Sequence, residues 1–192
     1  KAYDVRGVVP DQWDETVARA IGAAFAEFVH GETGATAVVT AHDMRDSSIP
    51  LSRAFAEGVL SRGLDVVEAG LGSTDMLYFA AGHLNLPGAM FTASHNPAQY
   101  NGIKLCRAGA TPIGQASGLT TIREQAEARI AEAREQAEKD AAEARRRAEE
   151  LQREMLALGI NRREVGERLG ISTRSVVRTE GKKPVKKLSD EE

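Results

Sequence analysis

Apolar residues recur with helical spacing at Val17, Ala20, Ile21, Ala24, Phe25 and Phe28, and Asp14-Glu15 just ahead of them supply a start signal. Gly31 and Gly34 mark the expected stop. Ala35-Thr36-Ala37-Val38-Val39-Thr40 is apolar and β-branched without polar alternation, the pattern of a strand covered on both faces. Ser47-Ser48-Ile49-Pro50 opens a second helix with Leu51, Phe55, Val59 and Leu60 on one side, and Gly63 ends it. Residues 64–69 predict a second strand, 74–81 a third helix, 88–92 a third strand and 103–106 a fourth. Asn101-Gly102, just before the fourth strand, reads as a turn. Alternating strands and helices predict an α/β layer with a mostly parallel sheet. The last two strands are joined too closely for a crossover helix, so that pair is expected to be antiparallel or splayed around a loop.

From residue 117 the pattern changes. Ile122, Ala126, Ile130, Ala133, Ala137, Ala141, Ala144, Ala148, Leu151, Met155 and Leu158 follow one another in steps of three and four, which keeps them on one stripe of a helix. Neither glycine nor proline interrupts the stretch from Leu119 to Leu158, and the intervening positions are largely Glu, Arg, Gln and Ala. A single helix over 117–158 would reach about 60 Å at 1.5 Å per residue. Glu135 with Lys139, and Glu143 with Arg147, are spaced to support it. The middle of the stripe is alanine, which leaves two readings open: a solvated spacer, or the arm of a helix-mediated dimer with a shallow seam.

Composition divides the 192 residues in the same way. Most glycines and five of the six prolines lie before residue 117. Residues 1–116 carry 8 basic and 12 acidic side chains, 117–158 carry 8 and 10, and 159–192 carry 9 and 6. The expected organisation is therefore an α/β domain at 1–116, a charged helix at 117–158 and a small helical, net-basic module at 159–192. The overall charge of −3 excludes a uniformly basic nucleic-acid coat but leaves room for a local patch. One cysteine, Cys106, excludes an intrachain disulfide framework and a cysteine zinc site, and a reducing, cytoplasmic setting is expected. No run of 18 apolar residues and no signal peptide is present, so no membrane association is expected. The chain starts at Lys1 without a methionine, an indication of further residues upstream.

Chemistry concentrates in Thr92-Ala93-Ser94-His95-Asn96-Pro97, with Lys104 ten residues after the serine. Ser94 falls just past a buried strand, where α/β sheets present side chains to ligands. Pro97 biases Asn96 to an extended backbone. Strand alternation sends Lys104 to the face opposite Ile103 and Leu105. A hydroxyl, an imidazole and an ammonium at close quarters suit nucleophilic or phosphoryl chemistry. Adjacency of Ser and His alone is common in loops and does not make a hydrolase triad.

The segment TASHNP followed by YNGIK resembles the active-site serine loop of the α-D-phosphohexomutases, the phosphomannomutase/phosphoglucomutase family. Tyr3-Asp4-Val5-Arg6-Gly7 resembles that family's N-terminal signature, and Asp43-Met44-Arg45-Asp46-Ser47-Ser48 its DxRxSS segment. Three ordered motifs over residues 1–130 imply the family's first domain, a three-layer α/β/α fold with a mixed sheet. The resemblance also implies roles. Ser94 would be the phosphorylated serine, giving its phosphoryl group to a hexose phosphate and receiving one back from a bisphosphate intermediate. Lys104 would act as general acid/base or charge stabiliser, and Arg6 would contact the phosphoserine. His95 and Asn96 would shape the loop and touch substrate. Tyr3, a further substrate-binding candidate, would with Asp4 position Arg6. Mg2+ would take one phosphoserine oxygen as its ligand through Ser94. Phosphoryl transfer is largely positioning and charge stabilisation, which these residue types provide. For Asp43 and Arg45 a plain loop ion pair is the favoured reading. The family's aspartate-rich metal loop, its sugar-binding loop and its C-terminal phosphate loop have no counterpart in the 192 residues, so magnesium would be weakly held and activity of the chain alone weak.

Residues 159–181 resemble a bacterial helix-turn-helix, with Gly170 at the turn and Leu169, Ile171 and Val176 in the packing positions. Ser172 would cap the second helix, and Thr173, Arg174, Ser175 and Arg178 would face the major groove of DNA. Lys182, Lys183, Lys186 and Lys187 would add phosphate attraction. Two functional readings follow: the phosphoserine-bearing domain of a sugar phosphomutase, and a DNA-binding or adaptor fusion using the mutase-like domain structurally or as a sensor.

Overall fold

The computed structural model describes residues 5–157, Leu156 by its backbone alone. Tyr3, with Asp4, and the basic module containing Arg174, Ser175, Arg178, Lys182 and Lys183 lie outside the described residues. The elements are β1 (Val5–Val8), α1 (Glu15–Thr33), β2 (Ala37–His42), α2 (Ser48–Leu60), β3 (Asp65–Leu71), α3 (Thr74–Leu84), β4 (Gly88–Phe91), β5 (Tyr100–Cys106) and α4 (Leu119–Ala157). Five strands form one sheet in the order β1-β5-β4-β2-β3. β2 pairs in parallel with β3 and β4, while β5 is antiparallel to both β4 and β1. The sheet is therefore mixed, and the antiparallel pairing of β4 with β5 is the one their short connection requires.

Asp14 caps α1 as its position suggested, its carboxylate accepting from the backbone N–H groups of Thr16 and Val17 at 2.9 and 3.0 Å. Gly31 stays within the helix; the stop falls at Gly34, whose φ of 70° places it in the left-handed region. One face of the sheet packs against α1, α2 and the first turns of α4, burying Phe25, Phe55, Phe91, Leu51, Ile103 and Ile122. The other packs against α3 through Val39, Ala41, Leu77, Ala81, Met90 and Cys106. Burial pushes the Cys106 thiol up to about 11, which fits a packing residue rather than a nucleophile.

One local reading is corrected, and two further features lie outside what the sequence pattern showed. β1 carries no sequence pattern of its own: Arg6 and Gly7 interrupt it, and pairing with β5 alone makes it a strand. Asn101-Gly102 is not a turn but lies within β5, facing Gly7 and Arg6. The Asn101 side chain is fully buried and donates to the hydroxyls of Ser47 and Ser48 at 2.8 and 2.9 Å, and a Cβ on Gly102 would collide with the carbonyl oxygen of Val5. The turn instead falls in the loop before β5. Ser47 precedes α2 without capping it by its side chain, since its hydroxyl is engaged with Asn101.

α1 and α2 approach closely at two glycines. A Cβ on Gly22 would strike the carbonyl oxygen of Phe55, and one on Gly58 that of Arg19. Backbone atoms cannot rotate away, so either contact forces the helices apart. Gly22→Ala and Gly58→Ala are each expected to cost about 1–3 kcal/mol, read as a lower urea midpoint at unchanged slope; an unchanged midpoint would contradict this packing.

Composition changes at residue 116, whereas the first compact unit runs Lys1–Gln136 and the second Ala137–Glu192. Leu119, Ile122 and Ala126 explain why the first unit extends into α4: all three belong to its core. Arg107 ties the segment after β5 to α1 by a two-pronged bond to Glu32, both contacts at 2.8 Å, with its guanidinium over the Phe28 ring. From residue 131 to 154 every position of α4 is exposed, the alanine stripe included. No helix among the described residues is long and apolar enough to cross a membrane.

Candidate functional site

The connections out of β2 and into β4 set the site's position. α2 leads from β2 outward to β3 on one face of the sheet, and α3 leads back from β3 to β4 on the other. Chain direction thus switches between β2 and β4, and the space beyond their carboxyl ends is where such sheets bind ligands. Two loops fill it: residues 43–47 after β2 and residues 92–99 after β4. They are joined at their bases, where Asp43 N–H donates to the Phe91 carbonyl at 2.9 Å.

Ser94 lies at the exposed tip of the second loop with a φ of 55°, in the left-handed region that costs a residue with a Cβ roughly 1–3 kcal/mol. Its N–H donates to the Thr92 hydroxyl at 3.0 Å, and its Oγ lies 3.2 Å from Nδ1 of the exposed His95. Asn96 turns inward: its side-chain amide donates to the Ala93 carbonyl at 2.7 Å, which makes it a loop-shaping residue.

Arg45 reaches across from the first loop. Its Nε donates to the Asp43 carboxylate at 3.2 Å, Nη1 to the carbonyls of Pro97 and Tyr100 at 2.9 and 3.1 Å, and Nη2 to those of Ser94 and Asn96 at 2.9 and 2.8 Å. The expected ion pair is present, but the other four contacts go to the serine loop and to Tyr100, the first residue of β5. Asp43 also accepts from the Arg45 backbone N–H at 3.0 Å and from the Ser48 hydroxyl at 2.6 Å. Burial pushes its carboxyl up; the bonds from Ser48, from the Arg45 backbone and from Thr92, with the Arg45 charge, outweigh this and hold it below its ordinary value. A carboxylate with a depressed folded-state pKa stabilises the structure above its unfolded pKa, and the benefit is lost as pH falls through the folded value. The carboxyl-carbon shift of Asp43 itself is therefore expected to hold steady down to the ordinary carboxylate pKa of about 3.9 and to move only below it. An NMR acid titration checks this, and a transition above that value would contradict it.

Arg6 and Lys104 are brought to one sheet face. Arg6 stands opposite Gly102, and Lys104 opposite Met90. Met90 belongs to the α3-side cluster while Ile103 and Leu105 belong to the other, so Lys104 faces as alternation required. Thr92 N–H donates to the Gly102 carbonyl at 3.0 Å, which aligns Arg6, Gly102 and Thr92 across the sheet. Lys104 belongs to the next row on that face, about 7 Å along the strand. Two cations thus flank Gly102, the cross-strand neighbour of Thr92, which lies two residues before Ser94. Both are half-buried.

No three His, Cys, Asp or Glu residues gather to hold a metal among the described residues. Asp43, the carboxylate at the base of the loop, is already engaged by Arg45 and Ser48. The described residues therefore do not by themselves form a magnesium site.

Residues 1–133 match the model of the phosphoglucomutase/phosphomannomutase α/β/α domain I. The chain belongs to the phosphoglucomutase/phosphomannomutase family. It is 42% identical over 129 residues to a phosphomannomutase of Escherichia coli, covering 67% of this chain and 28% of that protein. A Klebsiella pneumoniae phosphomannomutase is 41% identical over 128 residues, 66% of this chain and 79% of that protein. Among solved structures, a family member from Burkholderia thailandensis superposes with a TM-score of 0.59 at 39% identity, over 70% of this chain and 30% of that one. The chain spans less than a third of the length of the E. coli relative.

Within this family fold, Asp43, Arg45, Ser48 and Asn101 are the residues whose part in the site went unread. A signal existed: these polar residues stand beside apolar strands, where buried polar groups must find partners, and each other is where they find them.

Proposed function

We propose that this chain is the phosphoryl-carrying part of a hexose phosphomutase, with Ser94 as the residue that gives and takes the phosphoryl group. The observation that carries the reading is Ser94 itself: exposed, in a strained left-handed backbone, at the switch point of the sheet and within hydrogen-bond distance of His95. In the forward step a sugar hydroxyl attacks phosphorus on phosphoserine 94, the bond from phosphorus to Ser94 Oγ breaks, and a hexose bisphosphate forms. The hydroxyl's proton passes to a base, for which Lys104 is the candidate, and Ser94 Oγ leaves carrying a proton that His95 is placed to supply. Return of the other phosphoryl group to Ser94 completes an isomerisation. Arg6 and Lys104 would offset the charge of the phosphoserine dianion, Asn96 would hold the loop and Tyr3 would meet the sugar. Magnesium, which the family resemblance brings in, finds no ligand set among this chain's described residues, and no step is drawn through it. A cytoplasmic location belongs to the same reading.

Activity of these 192 residues alone is expected to be feeble. Fixing two reactants in attack geometry supplies roughly 7–11 kcal/mol of an enzymatic rate, and the chain spans only 28% of the E. coli relative's length. The test is turnover of mannose and glucose phosphates, with and without magnesium, in a sample free of host mutase. Slow isomerisation that disappears in Ser94→Ala is expected; turnover equal to that of a full-length relative would overturn the expectation. The DNA-binding or adaptor reading and the helix-mediated dimer rest on sequence, and nothing among the described residues favours either over the sugar-phosphate reading.

A further inference from the structure

We infer that Arg45 is a positioning residue: its guanidinium holds Ser94 in the left-handed conformation and does not bind the phosphate. The inference rests on the reading of Ser94 as phosphoryl acceptor. An arginine side chain has five N–H donors in a rigid plane. Here all five have acceptors: Asp43 takes the Nε donor, the Pro97 and Tyr100 carbonyls take those of Nη1, and the Ser94 and Asn96 carbonyls take those of Nη2. No N–H remains for a phosphate oxygen. The side chain is only 12% exposed, and the 3.2 Å contact with Asp43 balances its charge. A cation this enclosed and this fully engaged is built into the loop.

The geometry of those acceptors shows what it does. They span residues 94 to 100, and binding four carbonyls to one plane fixes the peptide orientations of the whole loop. The carbonyl of Ser94 is among them, so the guanidinium directly restrains the peptide that follows the left-handed residue. Strain of roughly 1–3 kcal/mol persists only where the surroundings over-determine it, and these bonds are that over-determination. Lysine, with three donors on a compact ammonium, cannot span the same set. The core lies elsewhere: Arg45 is in the loop after β2 and belongs to neither buried cluster.

The experiment compares the full chain with Arg45→Ala and Arg45→Lys. Amide hydrogen exchange is followed throughout, and phosphate uptake from a hexose bisphosphate is followed by intact mass. In both variants exchange should quicken over residues 92–100 while α1 and β2 keep their protection. Uptake should slow by about a hundredfold, the loss expected of a displacement near 1 Å. Millimolar guanidinium should restore Arg45→Ala by about tenfold or more, whereas methylammonium at the same concentration should not. The inference is overturned if Arg45→Lys matches the unsubstituted chain, if loop exchange is unchanged, if protection is lost throughout the molecule, or if the two added cations act alike. Failure of the unsubstituted chain to take up phosphate would instead sink the Ser94 reading, and the exchange data would still decide whether Arg45 orders the loop.

Discussion

Ser94→Ala is expected to take up no phosphate from a hexose bisphosphate, while the unsubstituted chain should gain one group. The substitution removes Oγ and leaves Cβ, so the cost of the left-handed backbone at this position is nearly the same in both. Among the described residues Ser94 Oγ hydrogen-bonds one side chain, His95, and the restraints on the loop come from the Arg45 guanidinium, the Thr92 hydroxyl and the Asn96 amide. Fold and loop are thus expected to survive, and equal thermal midpoints for the two proteins serve as the control. Other hydroxyls of the site are committed: those of Ser47 and Ser48 accept from the buried Asn101 amide, and that of Thr92 accepts from Ser94 N–H. None of them is free to replace Ser94, which is why the loss should be complete rather than partial. An equal mass gain in the alanine variant would defeat the assignment.

The largest effect on stability should come from Phe55→Ala. Phe55 is fully buried on α2 and forms the middle of an aromatic chain, 5.8 Å from the Phe25 ring and 5.4 Å, edge-on, from that of Phe91. Deleting a buried phenyl costs about 3–5 kcal/mol through lost transfer energy and the cavity left behind. For a domain of this size the thermal midpoint should fall by about 10 °C or more. Phe91 ends β4, and its carbonyl accepts from Asp43 N–H where the two loops join at their bases. The same substitution should therefore loosen the serine loop, seen as faster amide exchange at Asp43 and Ser94 in the still-folded protein. A loss below about 1 kcal/mol would contradict the central place of this ring.

What could be read from the chain beforehand was what depends on near neighbours. Asp14 announced α1 because a cap acts two or three residues away, and the buried strands announced themselves because both their faces are covered. Lys104 could be assigned a face because alternation is a property of one strand. Each missed feature depends on residues far along the chain. β1 is a strand only by pairing with β5, about a hundred residues on. Asn101-Gly102 has the local chemistry of a turn, and what overrides it is a buried amide bonded to Ser47 and Ser48, 54 and 53 residues away. Arg45 followed the same rule. Its contact with Asp43, two residues away, was legible as an ion pair, whereas its four carbonyl acceptors lie 49 to 55 residues away and no spacing rule reaches them.

On the proposed reading, the loop after β2 braces the loop after β4 into one phosphoryl-accepting site with Ser94 at its tip. The most direct test of this claim is the position of the phosphate after the unsubstituted chain has been incubated with a hexose bisphosphate and fragmented for mass spectrometry. A single phosphate on Ser94 is the predicted result. No phosphate, or phosphate spread over other hydroxyl side chains at comparable occupancy, would contradict the claim.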